Sequence, residues 1–136
     1  MSTEDTLLLH FDDEREEALR LARAAGLHAV EIERHRFPDD ELRLRLPAEL
    51  PANAVLFRSL RRPNEKLLEL LLVARSAGRG GVRHLTLVAP YLAYMRQDKA
   101  FHPGEVVSQR IVGEFLAGLF DGVITVDPHL HRISSL

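Results

Sequence analysis

Short aliphatic runs separated by stretches of helical period recur along this chain, and that alternation leaves few architectures open to it. The runs are Thr6 to Phe11, Ala54 to Arg58, Leu85 to Ala89 and Ile124 to Val126. Runs this short and this apolar suit strands buried in a sheet. Between the first two, Ala18, Leu19, Ala22 and Ala25 recur on one helical face, with Asp12 or Asp13 available as an N-cap and Gly26 as a stop. A second helix is predicted from about Asn64, with Leu67, Leu70, Leu71 and Ala74 on one face. Leu68 and Leu72 widen that stripe, so heavy burial is expected, with Gly78, Gly80 and Gly81 ending the helix. A third, from about Val106 to Leu119, carries Val107, Ile111, Phe115 and Leu119. Strands alternating with such helices predict an α/β fold, a mostly parallel sheet flanked by helices on both faces.

Ala29 to Glu33 and Leu42 to Leu46 alternate apolar and polar residues instead, the pattern of strands with one wet face. With Phe37 to Glu41 as their connection, they read as an antiparallel hairpin at one edge. The 136 residues suit one compact domain, and no repeat or low-complexity linker divides them. A formal net charge of -2 gives no bulk attraction to nucleic acid or to an anionic membrane. The apolar stretches fall short of the roughly 20 residues a membrane helix needs, and Met1 to His10 has no basic region before its apolar run. A chain without cysteine fits a reducing compartment and holds neither disulfides nor thiolate metal sites. A cytoplasmic protein is expected.

Three polar clusters follow predicted strands or join them. Arg96, Gln97, Asp98 and Lys99 lie behind the Leu85 to Ala89 strand, at the end where open α/β sheets bind ligands. Arg96 offers a planar fork for phosphate or carboxylate, Lys99 a point charge, and Gln97 an amide for a ribose or base. The same run also reads as a solvated charged loop, and Tyr91 and Tyr94 as packing or as stacking platforms. Asp127, His129 and His131 lie at alternate positions after the last strand, so in extended backbone they face one side and suit a divalent cation. Structural or exposed histidines are the plainer reading. Phe37, Pro38, Asp39, Asp40 and Glu41 set a ring beside three carboxylates, fit for a base and its amine or for a solubilising turn. Neither GxxxxGK[ST] nor a GxGxxG after a strand is present, and Ser59 and Ser108 lack a GxSxG context.

Taken together, these segments resemble the N-terminal half of the ribose-phosphate diphosphokinase family, the phosphoribosyl pyrophosphate synthetases. The resemblance rests on Arg36-Phe37-Pro38-Asp39-Asp40-Glu41, on Pro63-Asn64 with Leu67-Leu68-Glu69-Leu70, on Pro90-Tyr91 with Tyr94 to Lys99, on Pro103-Gly104-Glu105 with Val107-Ser108, and on Val123 to Asp127 with His129. The Pro-Gly-Glu variant is similar to the archaeal-type branch. The resemblance implies a type I phosphoribosyltransferase-like fold and transfer of a diphosphoryl group from ATP to ribose 5-phosphate with Mg²⁺. It also implies a homo-oligomer in the cytoplasm. Arg96 and Gln97 match ATP contacts, and His129 matches a Mg²⁺ ligand. Phe37, Asp39 and Glu41 match an acidic loop that reaches the adenine of ATP in a neighbouring subunit.

The chain departs from the family at Asp40, which stands in place of a glycine, and at Pro128 and Leu130 to Arg132. It also stops at Leu136, about where a second domain with the catalytic-loop residues and the sugar-phosphate loop should begin. A single first domain over residues 1–136, inactive alone, is therefore expected. Two other classes stay open: a non-catalytic regulatory or assembly module of the same fold, and a metal-dependent hydrolase using His129 and His131.

Overall fold

The computed structural model describes residues 5–96 and 98–126. Its centre is a parallel five-stranded sheet in the order β2-β1-β5-β6-β7. These strands are β1 (Thr6–His10), β2 (His28–Glu31), β5 (Asn53–Phe57), β6 (His84–Val88) and β7 (Gly122–Ile124). The three helices are α1 (Arg15–Ala25), α2 (Pro63–Arg79) and α3 (Ser108–Leu119).

Side chains on a strand alternate between its two faces, and here both faces are apolar. Leu7 and Leu9 of β1 join Leu56, Leu85 and Leu87 against α2 and α3. Leu8 and Phe57 face the other way, onto Ala18 and Ala22 of α1. Helices thus cover both sides of the sheet, as the strand and helix pattern predicts. Gly26 ends α1 at φ 70, a left-handed conformation that costs glycine least.

Ala29 to Glu33 proves to be two strands. Residues 28–31 pair in parallel with β1, and the Ile32 N–H, 2.7 Å from the His10 carbonyl, extends that contact by one residue. Beyond buried Ile32 the chain leaves the sheet. Strands β3 (Glu33–Arg36) and β4 (Leu42–Arg45) then pair antiparallel as a sheet of their own. The last strand also lies earlier than expected, with Val126 outside it.

Three other expectations are corrected. Neither Asp12 nor Asp13 caps α1; both sit in a short 3-10 turn, and ion pairs with arginines engage their carboxylates. On α2, Leu68 and Leu72 stay 48% and 39% exposed, while Glu69 takes an inward position with Leu70, Val73, Ala74 and Ala77. On α3 the buried residues are Gln109, Val112 and Leu116, so the inward face is rotated away from Ile111. The Gln109 amide earns that place by donating to the Met95 carbonyl at 3.3 Å.

Candidate functional site

The sheet order places the first candidate at the switch point. The chain runs outward from β1 to β2 and returns across β1 to β5, so β1 and β5 send their connections in opposite directions. The crevice outside the carboxyl ends of such a pair is where open α/β sheets bind ligands.

Here the protein fills that crevice with its own charges. Arg58, one residue past β5 and in phase with inward-facing Ala54 and Leu56, is only 1% exposed. Its guanidinium donates to Glu69 at 3.0 and 2.7 Å, to Asp13 at 2.6 Å and to Glu14 at 2.8 Å. Arg34 of β3 binds the other oxygen of Glu69 at 2.6 Å and Asp12 at 2.9 Å. Both guanidiniums lie over the Phe11 ring, at 5.2 Å for Arg34 and 4.4 Å for Arg58. Glu14 also accepts the Ser59 backbone N–H at 2.9 Å. Carboxylates therefore already satisfy the donors an anionic ligand would use.

The network carries a pH dependence. Burial pushes the Asp13 carboxyl up, but the hydrogen bond and charge of Arg58, with Arg34 beyond it, outweigh that and hold it below its ordinary value. A carboxyl with a depressed folded value stabilises the fold above its unfolded value, about 3.9, and loses that contribution as pH falls through the folded value. Urea unfolding should therefore show little change above about pH 5 and falling stability below about pH 4. Asp13→Asn should flatten part of that acid loss, and an unchanged acid limb would remove Asp13 as a contributor.

One strand along, the edge opens. The β5–β6 pairing continues past the strands: the Leu60 N–H donates to the Tyr91 carbonyl at 2.9 Å. That bond brings the loop after β5 beside the loop after β6. Between them lies a cleft of ≈ 390 Å³ whose walls include Arg61, Arg62, Pro63, Tyr91, Tyr94 and Arg96. The Arg61 guanidinium sits 5.2 Å from the centre of the Tyr91 ring. Among the described residues, none of these three arginines forms an ion pair, in contrast to Arg34, Arg36 and Arg58. Three unpaired guanidiniums around one cleft suit a polyanion.

Backbone strain concentrates in the same regions. Among the described residues, the non-glycine residues with positive φ are Asp40 (71°), Arg62 (51°) and Tyr94 (63°). Two of them line the cleft, and the third lies in the hairpin connection. Such conformations are disfavoured for residues with a Cβ and gather at functional sites. At Asp40 the φ is one that glycine adopts freely.

The hairpin connection is a turn with Pro38 in its second position, closed by the Asp40 N–H to the Phe37 carbonyl at 2.9 Å. The Phe37 N–H donates to the Glu41 carbonyl at 2.8 Å, and the Glu41 N–H to Asp39 Oδ1 at 3.1 Å. Phe37 is exposed, with its ring edge-on to His35 at 4.8 Å. The structure therefore gathers Phe37, Asp39 and Glu41 at one tip but does not bring them into the cleft that Arg96 lines. Gln97 and His129 lie outside the described residues, as do Asp127 and His131.

Sequence reasoning missed the Arg58–Glu69 network and the place of Arg61 and Arg62 in the cleft wall. A signal was present for the first. Glu69 is in helical phase with Val73 and Ala77, and Arg58 is in strand phase with Leu56, so each points inward and demands a partner of opposite charge.

Comparison with known proteins adds the following. A family model described as the N-terminal domain of ribose phosphate pyrophosphokinase matches residues 6–119. A ribose-phosphate pyrophosphokinase from Methanopyrus kandleri is 37% identical over 111 residues, which is 81% of this chain and 38% of that protein. One from Thermococcus kodakarensis is 34% identical over 120 residues, 88% of this chain and 40% of the relative. The crystal structure of phosphoribosylpyrophosphate synthetase from Mycobacterium smegmatis superposes with a TM-score of 0.85 at 25% identity, over 96% of this chain and 45% of that one. The chain thus spans about two fifths of the length of the curated relatives it matches.

Proposed function

The chain belongs to the family of N-terminal domains of ribose phosphate pyrophosphokinase, and from that premise we propose that it supplies the ATP-binding part of a diphosphoryl transfer from ATP to ribose 5-phosphate. The observation that carries this reading is the cleft at the carboxyl edge of the sheet, where Arg61, Arg62 and Arg96 meet two tyrosines without carboxylate partners among the described residues. In this reading Arg96 and Gln97 bind the nucleotide. Phosphoryl-type transfer relies on positioning and on neutralising charge, both of which cations around a polyphosphate provide.

Phe37, Asp39 and Glu41 act on the base. The tip does not line the cleft of its own chain, and in keeping with the family resemblance it serves the nucleotide of a second copy, so the working unit is a homo-oligomer. Mg²⁺ enters with the nucleotide, since it keeps most of its ligands as water and phosphate oxygen. His129 is the protein ligand in this reading. A Mg²⁺ ion held there would supply positive charge against the phosphates. No helix among the described residues is long and apolar enough to cross a membrane. On the family resemblance alone we assign the protein to the cytoplasm.

Titration calorimetry of the 136-residue chain with ATP tests the reading. Saturable binding that tightens when Mg²⁺ is added is the expected outcome, and a flat titration in both conditions overturns it. Incubated alone with ATP and ribose 5-phosphate, the chain is expected to form no AMP; robust turnover would show that these residues hold a complete site.

A further inference from the structure

Helix α2 touches both places that the nucleotide reading needs. Pro63 lines the cleft, Asn64 accepts a hydrogen bond from the Tyr94 hydroxyl, and Glu65 pairs with Arg36 beside the hairpin tip. One turn further on, Glu69 binds Arg34 at 2.6 Å.

The spacing of these ion pairs is a match between two regular structures. Arg34 and Arg36 stand two apart on β3 and so share a face, about 6.7 Å from one another along the strand. Glu65 and Glu69 stand four apart on α2 and share a face, with a rise of about 6 Å between them. Two arginines on the strand therefore meet two glutamates on the helix in register. The inner pair is shielded, with Glu69 fully buried, while the outer pair is half exposed and adjoins Phe37.

At its base the hairpin is held by Leu44, packed on the main core, and by Arg34, which also binds Asp12; toward the tip the Arg36–Glu65 pair ties it to α2. Its strands pair only with each other and not with the main sheet, and the single residue Ile32 joins β3 to β2. Consecutive helix residues point in different directions, so Asn64 and Glu65 can grip separate bodies from one turn.

We propose that the opening turns of α2 form a joint that positions the hairpin tip relative to the arginine cleft, with Asn64 and Glu65 as positioning residues. Its functional meaning rests on the nucleotide reading above, because that reading gives both bodies a role. Each subunit's cleft is then mechanically tied to the tip that it offers to its neighbour.

Amide hydrogen exchange on the full chain, combined with ATP titration in the presence of Mg²⁺, tests the joint. Arg36→Gln and Glu65→Gln should each speed exchange at the Phe37 and Asp40 amides by about fivefold, the upper end for a half-exposed pair. The double variant should be no faster than either single one, and Arg36→Lys should exchange nearly as slowly as the parent. Tyr94→Phe, which removes only the hydroxyl, should speed exchange at the Leu67 and Leu68 amides, the first that α2 bonds within itself, and at the same two hairpin amides. ATP affinity should fall about fivefold in both Gln variants, and the urea midpoint only as far as that same fivefold allows, since the unfolded chain lacks the pair as well. Multiplying effects in the double variant, or hairpin amides indifferent to Tyr94→Phe, overturn the joint. So does an ATP affinity that holds while the hairpin amides exchange faster. A parent chain that binds no ATP overturns the nucleotide reading instead, and the exchange results still decide the joint.

Discussion

Arg58→Met is expected to destabilise the domain by about 3–5 kcal/mol, a large part of the 5–15 kcal/mol that typically holds a domain folded. The cause is what the substitution leaves behind. Glu69 is 0% exposed and keeps only Arg34, while Asp13 and Glu14 lose the cation between them. A buried carboxylate without its partner costs far more than the pair contributes relative to an apolar replacement. The double variant Arg58→Met with Glu69→Leu should therefore recover much of the loss, because Arg34 is partly exposed and retains Asp12. Urea unfolding of the three proteins decides the matter. A single variant within about 1 kcal/mol of the parent would mean that water reaches Glu69 and solvates it.

The second large effect is on binding. Arg96→Ala is expected to weaken ATP affinity, measured with Mg²⁺, by about 10- to 100-fold, the range for losing charge-assisted hydrogen bonds to phosphate. Arg96→Lys should fall between, since an ammonium keeps the charge but not the planar fork. The side chain is exposed at the cleft wall, so the circular dichroism spectrum and the urea midpoint should not move. An unchanged affinity in a chain that binds ATP would take Arg96 out of the site and leave Arg61 and Arg62 as its cations.

These two arginines differ in how much of their role the sequence shows. Arg96 stands out because it belongs to a dense polar run directly behind an aliphatic strand, and strand ends in α/β sheets are where ligands bind. Arg58 looks like the last residue of a strand, and only its phase hints that it points inward. What it meets there comes from Asp13, Glu14 and Glu69, distant in the chain and joined only when β1, β5 and α2 pack. Leu68 and Leu72 show the opposite failure: an apolar stripe wider than a helix face does not say which edge stays wet. The split of residues 28–36 into two strands was equally hidden, because alternation continues through Ile32 while the hydrogen-bond partner changes.

The order and type of most elements, the apolar strands, the hairpin with its acidic tip and the family motifs were determined by the sequence alone. Periodicity and motif spacing are properties of neighbouring residues and survive without a fold. Tertiary structure decided that the switch-point crevice is filled by the protein's own carboxylates and that the open cleft lies one strand further along. It also decided that the tip does not line that cleft. Those outcomes depend on which strands lie side by side and on charges meeting across long stretches of chain, and no local pattern encodes either.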